Sequence, residues 1–184
     1  MNARRLALLI LALSALASAV GLTAAAGKPN DGNRFEATFA ETNVSITNRI
    51  ADLGVFQLIN TGSGTVEGFG PATTVLGVTQ DRSVEPCGPG SWTNAAVRRI
   101  VLEEGVLVLR ELVHVCQTAS GPLGTGTYKV DGASSTGVFA GARGRGRSTI
   151  HLPTLTATLS GKLKLAESDR DSDDNGDDDD SDDD

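Results

Sequence analysis

From Phe35 onward the chain alternates apolar and polar residues, and turn-forming residues interrupt the alternation every ten to fifteen residues or so. Phe35, Ala37 and Phe39 alternate with Glu36, Thr38 and Ala40, the two-residue period of a half-buried strand. "GVFQLINTG", "GTVEGFG", "ATTVLGVTQD", "VRRIVLEEGVLVLRELVHVC", "GTGTYKVDG", "RSTIHLPTL" and "TATLSGKLKL" follow, separated by Gly, Asn, Asp, Pro or Ser. Within the fourth of these, Ile100 to Leu102 and Val106 to Leu109 read as a hairpin through Glu103-Glu104-Gly105. Helical spacing competes only around Ile50 to Ile59, where Gly54 weakens it. The expectation is an all-β domain of about eight strands, which must manage its sheet edges. Closure into an antiparallel barrel does so, and a two-sheet sandwich is the alternative that periodicity leaves open. With 22 glycines and 4% aromatics, the strands are expected to be tightly curved around a modest interior.

The flanks have a different composition. Residues 1–26 have the parts of a secretory signal: basic Arg4 and Arg5, the apolar run Leu6 to Leu16, and small residues at Ala17-Ser18-Ala19 and Ala24-Ala25-Ala26. The run is short for a bilayer span, and no later stretch approaches the required length, so export without a membrane anchor is predicted. Residues 27–33 read as a linker, 34–168 as the barrel domain, and 169–184 as a disordered, solubilising tail. The tail holds 11 Asp and one Arg, more negative charge than the whole chain's net −7, so the body is close to neutral. Cys87 and Cys116 are the only cysteines, and an exported chain with an even count predicts a disulfide. Two thiolates without matching His or Cys neighbours do not make a zinc site.

The segment "TGTYKVDGASSTGVFAGARGRGRSTI" invites three readings. Gly141, Gly144 and Gly146 are spaced G-x-x-G-x-G, and Gly62, Gly64 and Gly68 are spaced G-x-G-x-x-x-G; neither is a phosphate-binding loop, and no helix pattern follows either. Nucleic-acid binding would need aromatic stacking platforms, and only Tyr128 and Phe139 are near. The third reading is a hairpin: "GTYKVDG" a strand, "ASSTG" a turn, "VFAGARGRG" the returning strand. "GTGTYKVDGASSTGVFAGARGRG" resembles the signature G-x-W/Y-x-V/I-x-G-G-x-x-x-F-A-G-A-x-G-x-G of the allene oxide cyclase/dirigent-like barrel superfamily, and in particular its secreted bacterial members of unknown function. "FEATFAET", "GSGTVEGFG", "LEEGVLVLRE" and "TATLSGKLKL" resemble flanking strands, so that the similarity covers most of residues 34–165. Ala133 stands where the second of the paired glycines is expected. The resemblance implies an eight-stranded antiparallel barrel with a central cavity, often oligomeric, with lipid-derived or phenolic ligands. It carries over no catalytic residue, because no positions here match the cavity residues of the characterised members.

Candidate sites follow from the patterns. On "VLVLRELVHVC", the candidate ligand-binding residues are Arg110 and His114 on one strand face and Glu111 on the other; were the first face to line the lumen, Arg110 and His114 would orient a ligand carboxylate or carbonyl. Arg143, Arg145 and Arg147 project from a single face as a cationic ladder, either a solvated surface or an anion dock that the chain's own tail could fill. In the tail, Asp171, Asp173, Asn175, Gly176 and Asp182 match a calcium loop with Asp replacing its final Glu; an Asp-rich run produces such a match by composition, so weak calcium association is the most it predicts. No other cofactor is expected. No nucleophile-elbow or Ser-His-Asp arrangement occurs, which favours a non-enzymatic module binding a small apolar or amphipathic ligand, with a homo-oligomer as a possible state. A cyclase-type enzyme and an extracellular structural or adhesive protein with a cation-attracting tail are the other classes kept open.

Overall fold

The computed structural model describes residues 34–50 and 53–166, with side chains throughout except at 47–50. The predicted signal, the linker, the Asp-rich tail and its calcium motif lie outside the described residues. Those that are described form β1 (Arg34–Ile50), β2 (Val55–Val66), β3 (Gly70–Asp81), β4 (Trp92–Leu102), β5 (Gly105–Cys116), β6 (Leu123–Val130), β7 (Arg143–His151) and β8 (Thr156–Lys164). Each strand pairs antiparallel with the next, and β8 returns to β1 from Arg34↔Lys162 to Ala40↔Thr156. The result is a closed eight-stranded barrel, which excludes the sandwich.

Alternation sets the two faces of the wall. Phe35, Ala37 and Phe39 of β1, Ile100 and Leu102 of β4, Leu107 and Leu109 of β5, and Leu159 and Leu163 of β8 all join one buried core. Full burial of such side chains contributes about 1.5–3 kcal/mol apiece. "GVFQLINTG" and the start of "GTVEGFG" form one strand and not two. β2 passes through Gly62-Ser63-Gly64 without a break. Gly64 is required there because a Cβ would stand 1.8 Å from the Thr38 carbonyl oxygen on β1.

The expected returning strand "VFAGARGRG" starts later than its alternation suggests. Gly137–Phe139 is a short 3-10 turn, and β7 begins at Arg143. Phe139 is fully buried and its ring lies 5.1 Å from that of Phe69, so it plugs one end of the barrel and does not extend the wall. At the opposite end, Cys87 in the β3–β4 loop is disulfide-bonded to Cys116, the last residue of β5, with 5.6 Å between their Cα atoms.

Candidate functional site

The interior holds a charged centre built from four strands. Arg98 of β4, the largest fully buried side chain, is 0% exposed. Its Nε donates to Glu111 Oε1 of β5 at 2.5 Å, and its Nη1 donates to Glu41 of β1. Ser148 of β7 donates from Oγ to the second Glu111 oxygen at 2.8 Å. The Arg98 guanidinium also lies 5.7 Å from the centre of the Phe39 ring. Burial alone would lower the Arg98 pKa, but the charges of Glu111 and Glu41 outweigh it and hold the pKa above its ordinary value. Tyr128, also inward, has a phenol pushed up above its ordinary value, first by burial and then by the Glu111 charge. The Tyr128 hydroxyl and Arg98 Nη2 make no hydrogen bond to the described residues. The two carboxylates and the guanidinium spend their strongest hydrogen bonds on one another. This centre therefore ties β1, β4, β5 and β7 together, and leaves Arg98 Nη2 and the Tyr128 hydroxyl as its two unbonded polar atoms among the described residues.

The sequence reading did not single out Arg98, Glu41 or Ser148, and it left open which face of β5 lines the lumen. Leu107, Leu109, Glu111, Val113 and Val115 line the interior, whereas Arg110, Leu112 and His114 are exposed on the outer wall. The pair Arg110 and His114 is thus no lumen site. Arg110 binds Asp131 through Nη2 at 2.6 Å and Nε at 2.9 Å, and this bond holds the Asp131 carboxyl below its ordinary range. His114 Nδ1 lies 3.0 Å from Thr93 Oγ1. The face with four large aliphatic side chains is the one that packs, and a single buried Glu on it is tolerated because Arg98 sits within reach.

The arginine ladder is larger than the sequence indicated. Arg143, Arg145 and Arg147 are exposed on the outer face of β7. The register places Lys129 of β6 opposite Arg145, Lys162 of β8 opposite Arg145 from the other side, and Lys164 opposite Arg143. These six cationic residues line a groove of about 1080 Å³ that also takes in Thr127 and Ser160. Its floor explains the Arg-Gly alternation. Gly146 pairs with Gly161 across β7 and β8. A Cβ at either would stand 2.4 or 2.6 Å from the Tyr128 hydroxyl, which packs against the inner side of this part of the wall. Arginine points out and glycine points in because Tyr128 leaves no inward room at Gly146, and the Lys162 carbonyl and Val130 leave none at Gly144. On β3, β4 and β5 the outer wall is mixed, with Val75, Val97, Val101 and Leu112 exposed beside Arg99 and Arg110.

No group of three or more His, Cys, Asp or Glu that could hold a metal comes together among the described residues. No helix among them is long and apolar enough to cross a membrane. No family model, curated protein or solved structure matches the chain.

Proposed function

We propose that this chain is an exported, non-enzymatic binding module whose working surface is the groove on β6, β7 and β8, and whose ligand is an extended acidic polymer of the acidic-glycan kind. One observation carries the reading: like charges stand directly opposite one another across three adjacent strands, at Lys129↔Arg145, Arg145↔Lys162 and Arg143↔Lys164. Such pairs destabilise a sheet, and a bound anion removes the penalty. Arginine side chains add forked donors suited to carboxylate, sulfate or phosphate oxygens. A nucleic acid fits less well, since the nearby aromatic, Tyr128, is 2% exposed and offers no stacking face. The small apolar ligand expected for the lumen has less support, because Phe35, Phe39, Phe139, Leu107, Leu109 and Arg98 occupy the interior. Export is supported by the residue 1–26 pattern and by the Cys87–Cys116 disulfide, which persists in oxidising compartments. Membership of the allene oxide cyclase/dirigent-like superfamily stays a proposal, supported by the sequence signature and compatible with an eight-stranded barrel.

The test is calorimetric titration with a size-defined heparin oligosaccharide as probe, at several salt concentrations. Binding should weaken steadily as salt rises, and Arg145→Ser should reduce affinity about tenfold, the loss of one desolvated charge contact. Affinity that ignores both salt and Arg145 would sink the reading.

A further inference from the structure

The geometry points to residues 169–184 as the groove's own occupant: the chain carries an internal polyanion that an external one must displace, so the tail sets the affinity threshold of the site. This deepens the proposed function and rests on the groove being its anion-binding surface. Three observations support it. First, β8 ends at Lys164, which is itself a groove residue opposite Arg143, so the chain leaves the barrel at the groove. Residue 169 follows five positions later, a reach of up to about 17 Å, whereas the ladder from Arg143 to Arg147 is only about 13 Å long. The tail can therefore turn back and lie along β7 with length to spare.

Second, the charges are complementary in amount. Six cationic residues line the groove, and the tail holds 11 Asp against one Arg. Third, the periods match. Along an extended chain, side chains on one side recur every two residues, at about 6.6 Å, which is also the repeat of Arg143, Arg145 and Arg147. The runs Asp177 to Asp180 and Asp182 to Asp184 are long enough in sequence to meet this repeat when extended on the ladder. Exposed ion pairs are individually weak, but a tethered partner acts at an effective concentration of about 1 mM, enough to compete with a free ligand.

The experiment compares the full chain with a full-length variant in which all eleven tail aspartates are Asn. The probe is the same heparin oligosaccharide, at 20 mM and at 500 mM NaCl, with backbone amide spectra recorded on both proteins without probe. The inference expects the variant to bind the probe about tenfold more tightly at low salt, an advantage that disappears at high salt. It also expects the amides of Gly144 and Gly146 to shift on tail neutralisation at low salt, by an amount independent of protein concentration. Equal probe affinities overturn the inference and leave the groove's function standing. Shifts that grow with protein concentration overturn it in favour of tail exchange between copies. If neither protein binds the probe, the proposed function fails instead, and the amide shifts alone then decide whether the tail docks; unmoved amides overturn that too.

Discussion

Arg98 contributes to the fold as one member of a set, so replacing it alone strands two buried carboxylates. Arg98→Met should lower unfolding free energy by about 3–5 kcal/mol, whereas replacing Arg98, Glu41 and Glu111 together with apolar residues should recover most of that loss. Urea titrations of the single and triple variants check this; a triple variant as weak as the single would show that the loss is one of packing. Tyr128 gives a second residue-level expectation. It is the only tyrosine, so phenolate absorbance reports it alone. In denaturant it should ionise near pH 10, and in the folded protein only at higher pH, since burial and the Glu111 charge raise its pKa. The folded state then holds a proton that the unfolded state releases, and stability falls as pH rises above about 10. Tyr128→Phe should flatten that alkaline slope. These interior groups were partly legible in the chain. Arg98 lies on the alternating face of Ile100 and Leu102, and Glu41 follows Phe35, Ala37 and Phe39 in the same phase. What the linear pattern could not supply is that Glu41, from a strand distant in sequence, converges with Arg98 and Glu111 of the β4–β5 hairpin on one point where they satisfy each other.

β7 shows how one element serves packing and binding through opposite faces. Its inward positions are Gly144 and Gly146, followed by the buried Ser148, and its outward positions are Arg143, Arg145 and Arg147. The ladder was readable from spacing alone. The lysines that complete the groove were not, because Lys129, Lys162 and Lys164 come from two other strands and only the register sets them beside the arginines. The start of the strand was misread for a related reason: Val138 and Phe139 continue the alternation in sequence, but Phe139 gains more by filling the barrel end than by extending the wall. Because Arg145 has a lysine opposite it on both sides, Arg145→Glu should stabilise the ligand-free protein by roughly 0.2–1 kcal/mol in the variant whose eleven tail aspartates are Asn, the size of a cross-strand charge effect. The same change should abolish most of the heparin binding. A higher thermal midpoint together with lost binding would mark β7 as a place where stability is given up for function; a lower midpoint would indicate that Arg145 has a structural role instead.

At the scale of the whole molecule, alternation indicated strands and edge management favoured the barrel, but periodicity alone did not exclude the sandwich, because both bury one face of every strand. Closure depends on β1 pairing with both β2 and β8. That juxtaposition of chain ends pairs Arg34 with Lys162 and Ala40 with Thr156, residues more than a hundred positions apart, and alternation within either strand does not encode it. The closed wall also frames what the disulfide does. Cys87 lies in the β3–β4 loop, outside the eight strands, while Cys116 ends β5, so the bridge fastens a loop to a wall that is already complete. Its contribution should therefore come chiefly through the unfolded chain. Closing a loop of sequence separation 29 should stabilise the fold by roughly 3–4 kcal/mol. Replacing both cysteines with Ala should lower the urea midpoint by that amount, leave the amide positions of β1, β7 and β8 unchanged, and leave heparin affinity at the groove intact. Treatment of the parent protein with reductant should reproduce the same loss. If the double variant instead shifts amides around the whole barrel, the bridge shapes the native wall and the entropic account is wrong.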